Sequence, residues 1–435
     1  PGSGGQVTVD GSKILLTAPG GTVIRGGADA TAPGDSDIFN ITPQEFSAIT
    51  VFGLNPVLPT TPGDTLNMNF ATPPLVAADL PPTLTIGVPG AGVYSFPVAS
   101  GLETVTYFSI EDVNAAGAYH LVLNGALAGS YGDDAIDVND TADELRVSLS
   151  GTDLVLERTG PIDPDFSPAV PPVPNNWIGE IFRGNIANIL SLTIEGTDDG
   201  ETVTINDAGG IPDFAGTVPL TPDNPHIAGT PEMLFNGRDG NDALIFSVDT
   251  NAVNQIYALG NGVGGGFGSD NGMAQGEIRT DDGAAAELIL YFTGLEPITT
   301  LGALGGTLTI IGDLEPQLIE VIDASDASVV GPTAGFTRVQ AWNSDRDGAF
   351  PHAYKPYEYF DFAAGAFTAL VVQGLGGADI IDVVSLDAAE NMLATVTIQG
   401  GDGDDVLSTR TTKNSVGNFA LTLDGGNGND SLNIG

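Results

Sequence analysis

The end of the chain repeats one short unit three times, and this repeat restricts the fold more than any other feature of the sequence. From Phe367 onward the chain contains FTALVVQGLGGADIIDV, LATVTIQGGDGDDVLS and FALTLDGGNGNDSLNI. Each copy is an alternating apolar run, a glycine-rich acidic turn and a second apolar run. The turns begin at Gly374, Gly400 and Gly425, so the copies are 26 and 25 residues apart. A period of this size predicts coils of a parallel β-solenoid, which bury their apolar faces by stacking on one another.

The first apolar run of this unit has relatives far upstream. FSAITVFG ends at Gly53, ILSLTIEG ends at Gly196 and FTALVVQG ends at Gly374. Apolar residues lie four and two positions before each glycine, and they are Ile49, Val51, Leu192, Ile194, Leu370 and Val372. This spacing is the strand period, with one face turned inward. We therefore expect an all-β solenoid that is irregular over residues 5–365 and regular over residues 366–435.

The acidic turn also recurs upstream. Its shared feature is an acid five residues after a glycine, as in Gly129 with Asp134, Gly237 with Asp242, and Gly196 with Glu201. Partial matches begin at Gly34 and Gly63. The intervals between these turns are irregular, so insertions are expected between the coils.

Proline marks where several of these insertions leave the coils. Proline-rich segments lie near Pro56, Pro73 and Pro219 and over Gly160–Trp177. They predict loops, because proline removes a donor from the strand ladder. The Gly160–Trp177 segment is alternatively a linker between domains. Helical patterns are scarce, and the segment around Glu144 is one of two short candidates.

The chain is strongly acidic and contains no cysteine. Its net charge of −44 arises from 12 basic and 56 acidic residues. Such a charge repels nucleic acid and anionic lipid and attracts cations. The acidity is explained either by divalent cation binding or by adaptation to salty or extracellular water. The absence of cysteine excludes disulfides, zinc–thiolate sites and cysteine nucleophiles.

Two features of the chain ends predict a piece of a longer protein. Residues 1–4 resemble a cloning remnant, and the last residues fall just after a repeat. No apolar run approaches the length of a membrane span. We therefore expect no membrane span. The net charge of −44 leads us to expect no nucleic-acid partner.

The turns GGDGDDVLS and GGNGNDSLN resemble the nonapeptide G-G-x-G-x-D-x-U-x of bacterial RTX (haemolysin-type) calcium-binding repeats. In that family, turn carbonyls and the aspartate hold Ca²⁺ between stacked coils. The resemblance implies calcium ligands at Gly400, Asp402, Gly403, Asp405, Gly425, Asn427, Gly428 and Asp430, and more weakly at Asp379, Asp242 and Asp134. RTX nonapeptides follow one another directly, whereas here a whole coil separates the turns.

Stacking of the coils gives a second reason to expect a cation. Asp379, Asp405 and Asp430 then form a column at the strand spacing of about 4.8 Å. Each neighbouring pair of carboxylates repels by about 1 kcal/mol in water. A hard divalent cation bound by carboxylates and glycine carbonyls relieves this repulsion. The alternative is that glycine and aspartate are simply good turn formers whose side chains point into water.

Another candidate calcium loop is NSDRDGAF, with Asn343, Asp345 and Asp347 before Gly348. It resembles the first half of an EF-hand loop, D-x-[DN]-x-[DN]-G. The twelfth position of such a loop is Tyr354 here, where the EF-hand has a bidentate glutamate. An ordinary aspartate-rich turn is the other interpretation.

The segment HAYKPYEYFDF is unusually aromatic and contains one of three lysines. Its candidate ligand-binding residues are His352, Tyr354, Lys355, Tyr357 and Tyr359. Polysaccharide lyases on β-helices use these residue types for proton abstraction and charge neutralisation. The alternative is an insertion whose rings pack over the solenoid surface.

These observations favour a non-catalytic, calcium-stabilised structural or adhesive segment of a large secreted or cell-surface bacterial protein. Its expected partners are Ca²⁺, glycans and neighbouring segments or copies of the same protein. One alternative is a carbohydrate-active β-helix, either a lyase, an epimerase or a glycan-binding module. A further alternative is a self-assembling filament or surface-layer subunit, because solenoid ends expose unpaired strand edges.

Overall fold

A computed structural model shows an all-β protein with long parallel sheets, 67% strand and 2% helical, which confirms the predicted fold class at this level. The structure describes residues 5–9, 12–16, 21–26, 37–43, 47–53, 64–70, 81–87, 90–110, 112–124, 143–158, 179–196, 200–218, 231–237, 242–248, 254–259, 275–283, 286–293, 295–302, 305–312, 316–323, 336–343, 358–386, 392–409 and 419–435. None of the helices in these ranges is long and apolar enough to cross a membrane.

The chain divides into two compact units. Unit 1 comprises Pro1–Thr197 and Phe214–Val218, and unit 2 comprises Asp198–Asp213 and Pro219–Gly435. The expected change from irregular to regular coils at residue 366 lies within unit 2. The division into units does not test it, so it stays a prediction.

Unit 1 contributes fifteen strands within the described ranges. They are β1 (Gly5–Val9), β2 (Ser12–Leu16), β3 (Thr22–Arg25), β4 (Ile38–Ile41), β5 (Ile49–Phe52), β6 (Thr65–Asn69), β7 (Thr83–Ile86), β8 (Gly92–Ser95), β9 (Val105–Phe108), β10 (Asp112–Ala116), β11 (Tyr119–Asn124), β12 (Asp143–Ser150), β13 (Asp153–Arg158), β14 (Gly179–Asn185) and β15 (Ile189–Glu195). Single-turn 3₁₀ helices cover Val98–Ser100 and Ile186–Asn188.

The strands of unit 1 pair in three groups. The first runs β3-β5-β9-β8-β7-β11-β15, the second runs β10-β6-β4-β1-β2, and the third runs β14-β13-β12. Strands β3, β5 and β9 are parallel, as are β4, β6 and β10. Strand β3 of the first group is followed along the chain by β4 of the second, and β5 is followed by β6.

Unit 2 contributes seventeen strands in the part of the chain that is described. They are β16 (Glu201–Asn206), β17 (Met233–Asn236), β18 (Asp242–Val248), β19 (Asn254–Leu259), β20 (Gln275–Asp281), β21 (Glu287–Thr293), β22 (Leu295–Gly302), β23 (Thr307–Ile311), β24 (Gln317–Asp323), β25 (Phe336–Asn343), β26 (Glu358–Ala363), β27 (Ala369–Gln373), β28 (Ile380–Val383), β29 (Thr395–Asp402), β30 (Val406–Thr409), β31 (Ala420–Asn427) and β32 (Ser431–Ile434).

Two groups of paired strands organise unit 2. One runs β17-β21-β20-β19-β23-β27-β29-β31, and the other runs β16-β18-β22-β26-β25-β24-β28-β30-β32. At the end of the chain each repeat contributes one strand to each group. Repeat 1 is β27–β28, repeat 2 is β29–β30 and repeat 3 is β31–β32, and both columns of strands are parallel.

Antiparallel meanders interrupt the parallel pairing. Strands β7–β9, β19–β21 and β24–β26 each run as three successive antiparallel strands. The last two meanders lie in the 137 residues between the turns at Gly237 and Gly374. They supply part of the insertions that the irregular intervals predicted.

Burial confirms the inward face predicted from the sequence. Ile49, Val51, Leu192, Ile194, Leu370 and Val372 are all buried. Strands β1 and β2 are antiparallel, with Val9 opposite Ser12. The helix predicted around Glu144 is wrong. That segment is strand β12, since Leu145 and Val147 alternate into the core.

Candidate functional site at the glycine–aspartate turns

The predicted calcium turns join the two strands of each repeat, and they stack in register. Gly401 lies opposite Gly426, and Asp402 lies opposite Asn427, as a continuation of the pairing between β29 and β31. An isolated parallel bridge joins Gly376 to Asp402. The stacking predicted from the 25–26-residue period is therefore present.

The aspartate of each turn binds the backbone of the repeat before it. The Asp379 N–H donates to Asp405 Oδ1 at 2.8 Å, and the Asp405 N–H donates to Asp430 Oδ1 at 3.1 Å. Asp379 itself accepts the N–H of Gln317 at 2.8 Å. Each carboxylate thus satisfies a backbone donor at the corresponding position of the neighbouring turn.

The same link occurs at two other places. In unit 2, the Glu201 N–H donates to Asp242 Oδ1 at 2.8 Å. In unit 1, the Asp37 N–H donates to Asp64 Oδ1 at 2.7 Å. The described residues therefore contain five copies of one link, which we call the carboxylate link.

In four of the five links, the second oxygen of the carboxylate lies against a glycine. A Cβ on Gly400 would collide with Asp405 Oδ2 and would lie 2.6 Å from the Gly425 carbonyl oxygen. Equivalent collisions join Gly374 to Asp379, Gly425 to Asp430, Gly26 to Asp37, Gly53 to Asp64, and Gly312 to Gln317. The glycine at the start of each of these six turns is therefore required by close approach.

The other two glycines of the G-G-x-G-x-D pattern let successive turns stack directly. Gly401 has φ 109°, and a Cβ there would collide with the Leu375 carbonyl oxygen. Gly403 has φ 148°, and its Cβ would collide with the Gly377 carbonyl oxygen. Backbone stacking and the carboxylate link together explain all four fixed positions of the pattern.

Burial makes the carboxylate link energetically important. Asp405 is 1% exposed, and Asp64, Asp242 and Asp379 are also fully buried. Burial raises the pKa of Asp405, the negative charges of Asp430 and Asp404 raise that pKa further, and the hydrogen bond from the Asp379 N–H lowers it. A hydrogen bond to a charged group contributes about 1.5–3 kcal/mol, which offsets part of this unfavourable burial and repulsion.

Exposed acids on the outer side of the turns are bound by amides. Asn427 Nδ2 donates to Asp402 Oδ1 at 2.8 Å. The backbone N–H of Asn429 donates to Asp404 Oδ1 at 2.8 Å. Because an asparagine follows each of these acids in the next repeat, like charges do not stack on this outer side.

The described turns place backbone donors beside their inner carboxylates. Calcium takes six to eight oxygen ligands. The inner carboxylates are buried against glycine, and each outer carboxylate stands beside an asparagine. Within the described ranges, no group of three or more His, Cys, Asp or Glu residues is arranged to hold a metal ion. These contacts do not require a cation, and calcium at Asp242, Asp379, Asp405 and Asp430 stays a prediction.

Several predicted site residues lie outside the described residues. They are Asp134, Asp345, Asp347, His352, Tyr354, Lys355 and Tyr357. Asn343 ends strand β25 and Tyr359 lies in strand β26, and the side chains of both are outside the description. The four proline-rich segments lie almost wholly outside it too. The EF-hand-like loop and the aromatic ligand site therefore stay predictions.

Three residues that face a turn glycine were not predicted from the sequence as members of the repeated turn. Gln317 occupies the aspartate position after Gly312, and Asp37 and Asp64 follow their glycines by eleven residues instead of five. The partial matches at Gly34 and Gly63 contained the right acids but the wrong glycines. The usable signal is a glycine directly after one strand and an acid or amide at the start of the next.

Comparison with known proteins adds no assignment. A scan against protein-family models finds no match, and a search of curated proteins finds no match either.

Proposed function

We propose that this chain is a non-catalytic structural segment whose repeats are coils of a parallel β-solenoid. In this proposal, the glycine–aspartate turns hold neighbouring coils in register. The observation that carries it is the carboxylate link, which recurs five times between equivalent positions of neighbouring turns. The aspartates of the repeat pattern thus bind backbone N–H groups of the same protein.

Register is the property that this link is suited to control. Parallel strands offer the same backbone donors and acceptors at every second residue, so a ladder alone specifies register weakly. The carboxylate link adds one acceptor that reaches one N–H, and it fits only where a glycine faces it. A shifted strand places that carboxylate against a residue with a Cβ and leaves a buried N–H without its acceptor, at a cost of about 1–3 kcal/mol.

The proposal does not require calcium in the described turns. Calcium binding, expected from the RTX resemblance, is the competing explanation for the same residues. The two explanations differ in what happens when calcium is removed, because only a calcium-bound turn loses its ligand with EDTA.

We place the segment outside the bacterial cell, in a secreted or surface protein with a structural or adhesive role. The support comes from the sequence alone, from its repeats, its net charge of −44 and its lack of cysteine.

Native-state hydrogen exchange of single amides tests the register function. In Asp405→Ala the Asp379 amide loses its acceptor, so its exchange is expected to accelerate by about tenfold or more. Asp404→Ala is the matched control, because Asp404 accepts the Asn429 amide and leaves Asp379 untouched. Equal exchange of the Asp379 amide in both variants and the wild type contradicts the proposal.

A further inference from the structure

The outer edge of repeat 3 exposes side chains that are buried at the same positions of the repeats before it. Ile381 and Leu407 are 0% exposed, whereas Leu432, the next residue of the column, is 50% exposed. In the neighbouring column, Thr409 is 4% exposed and Ile434 is 77% exposed. The apolar interior of unit 2 is therefore open at this edge.

The first strand of repeat 3 shows the same trend. Val396 and Ile398 in β29 are buried, while Leu421 and Leu423, their register partners in β31, are partly exposed. Four apolar residues that point toward the interior thus form one patch on strands β31 and β32. Clustered apolar side chains of this kind mark interaction surfaces more often than scattered ones.

Backbone donors line the same edge. In repeats 1 and 2, the N–H groups of Asp379 and Asp405 donate to the aspartate of the following repeat. The Gly403 N–H donates to the Asn427 carbonyl oxygen at 2.8 Å. The corresponding N–H groups of Asp430 and Gly428 face the open edge, where no following repeat lies among the described residues.

We propose that the edge formed by β31 and β32 is a docking surface for one more coil of the same design. Its occupant is a polypeptide segment with a strand, a G-G-x-G-x-D turn and a second strand. This inference rests on the proposed register role of the turns. Beyond that role, it identifies an interaction surface and states the chemistry of the partner that binds there.

Each requirement on the occupant follows from the repeats already stacked. Its aspartate carboxylate accepts the Asp430 N–H, as Asp430 accepts the Asp405 N–H. Its third glycine packs on the Gly428 carbonyl, because a Cβ on Gly428 would collide with the Gly403 carbonyl oxygen. Its apolar residues cover Leu432 and Ile434. A second copy of β31 related by a two-fold axis pairs antiparallel and brings no carboxylate to the Asp430 N–H.

An added coil tests the proposal directly. A copy of residues 411–435 placed after Gly435 continues the 25-residue period and presents the full turn pattern. We expect exchange of the Asp430 amide to slow by about tenfold or more. Two matched extensions carry Asp430→Ala or Gly428→Ala within the added copy only, and both are expected to leave the Asp430 amide at the rate of the unextended protein.

Each outcome decides between explanations. Slow exchange with the intact added copy alone supports the docking surface. Equal protection by all three extensions, or by none, overturns it. Protection of the Asp430 amide in the unextended protein that rises with protein concentration also overturns it, because a second copy then covers the edge. The register function is tested by a separate measurement. It fails if the Asp379 amide exchanges at the same rate in Asp405→Ala as in the wild type.

Discussion

Unit 1 and unit 2 make the same carboxylate link across different numbers of residues. In unit 2, four residues separate Gly400 from Asp405, whereas in unit 1 ten residues separate Gly53 from Asp64. The Asp379 N–H donates to the Asp405 carboxylate at 2.8 Å, and the Asp37 N–H donates to the Asp64 carboxylate at 2.7 Å. The number of residues between the glycine and the acid therefore differs between the two units. What both units retain is a glycine directly after the first strand and an acid directly before the second.

This comparison separates the two explanations of the repeat pattern. A calcium turn depends on the carbonyls and side chains between the glycine and the acid, so ten intervening residues are not expected to replace four. A carboxylate link depends only on the two ends of the loop. Parallel substitutions in the two units therefore test whether the same physics operates in both.

The largest effect is expected from adding a methyl group at the first glycine of a turn. Gly400→Ala and Gly53→Ala each force the facing carboxylate or the neighbouring backbone to move, and each is expected to lower the free energy of unfolding by about 3 kcal/mol or more. Urea or guanidinium unfolding measures both.

Turn glycines with open space around them provide the matched controls. Gly305 in unit 2 has φ 74° and Gly151 in unit 1 has φ 68°, and a Cβ at either meets nothing within 4 Å. Alanine at these positions is expected to cost about 1 kcal/mol, from backbone conformation alone. If Gly53→Ala behaves like Gly151→Ala while Gly400→Ala remains severe, the two units do not share one link.

A smaller loss is expected from removing the acceptor. Asp405→Ala and Asp64→Ala each leave a backbone N–H without its carboxylate and are expected to lose about 2 kcal/mol. Asparagine keeps an oxygen acceptor, so Asp405→Asn and Asp64→Asn are expected to lose less than the alanine variants. Thermal or denaturant unfolding of the four variants ranks them. Asparagine variants as damaging as alanine variants speak for a role of the negative charge and against a simple acceptor.

The smallest expected effect is a pH dependence that belongs to Asp405. Its pKa is raised in the folded state, chiefly by burial, so the folded protein holds this proton more tightly than the unfolded chain does. Its contribution to stability therefore increases as pH falls through the folded pKa towards the unfolded value of about 3.9, and is lost as pH rises. We expect the wild type to gain stability relative to Asp405→Asn between neutral pH and about pH 4. The melting temperatures of the two proteins across this pH range measure the difference. If the wild type instead loses stability relative to Asp405→Asn as pH falls, burial does not raise the pKa of Asp405.

The sequence predicted the fold class and the strands well, because burial imposes a period of two wherever one face is covered. The inward rows at Leu192 and Leu370, and the acid at Glu201, were visible without coordinates. The meanders were not visible, because alternation reports which face is buried but not the direction in which a strand runs. The segment around Glu144 was mistaken for a helical turn, although Leu145 and Val147 alternate into the core as in a strand.

The nature of the site was harder to predict than its position. Aspartate and glycine suit both a calcium loop and a backbone link, so residue type does not distinguish them. The stacking of Asp379 on Asp405 was predicted, and a cation was expected to relieve the repulsion between them, which stays a prediction. Only coordinates show that a backbone N–H lies between the two residues. The Gly53–Asp64 pair was missed because the search fixed the spacing and ignored the strand ends.

The most direct test of a metal-independent link is amide exchange at Asp379 and Asp405 in the wild-type protein, measured in EDTA and in millimolar CaCl₂. Both amides are bound by carboxylates of the following repeat. Our account predicts that both stay protected in EDTA and exchange at the same rate in CaCl₂. Loss of their protection in EDTA, with recovery in CaCl₂, contradicts it and assigns the turns to calcium.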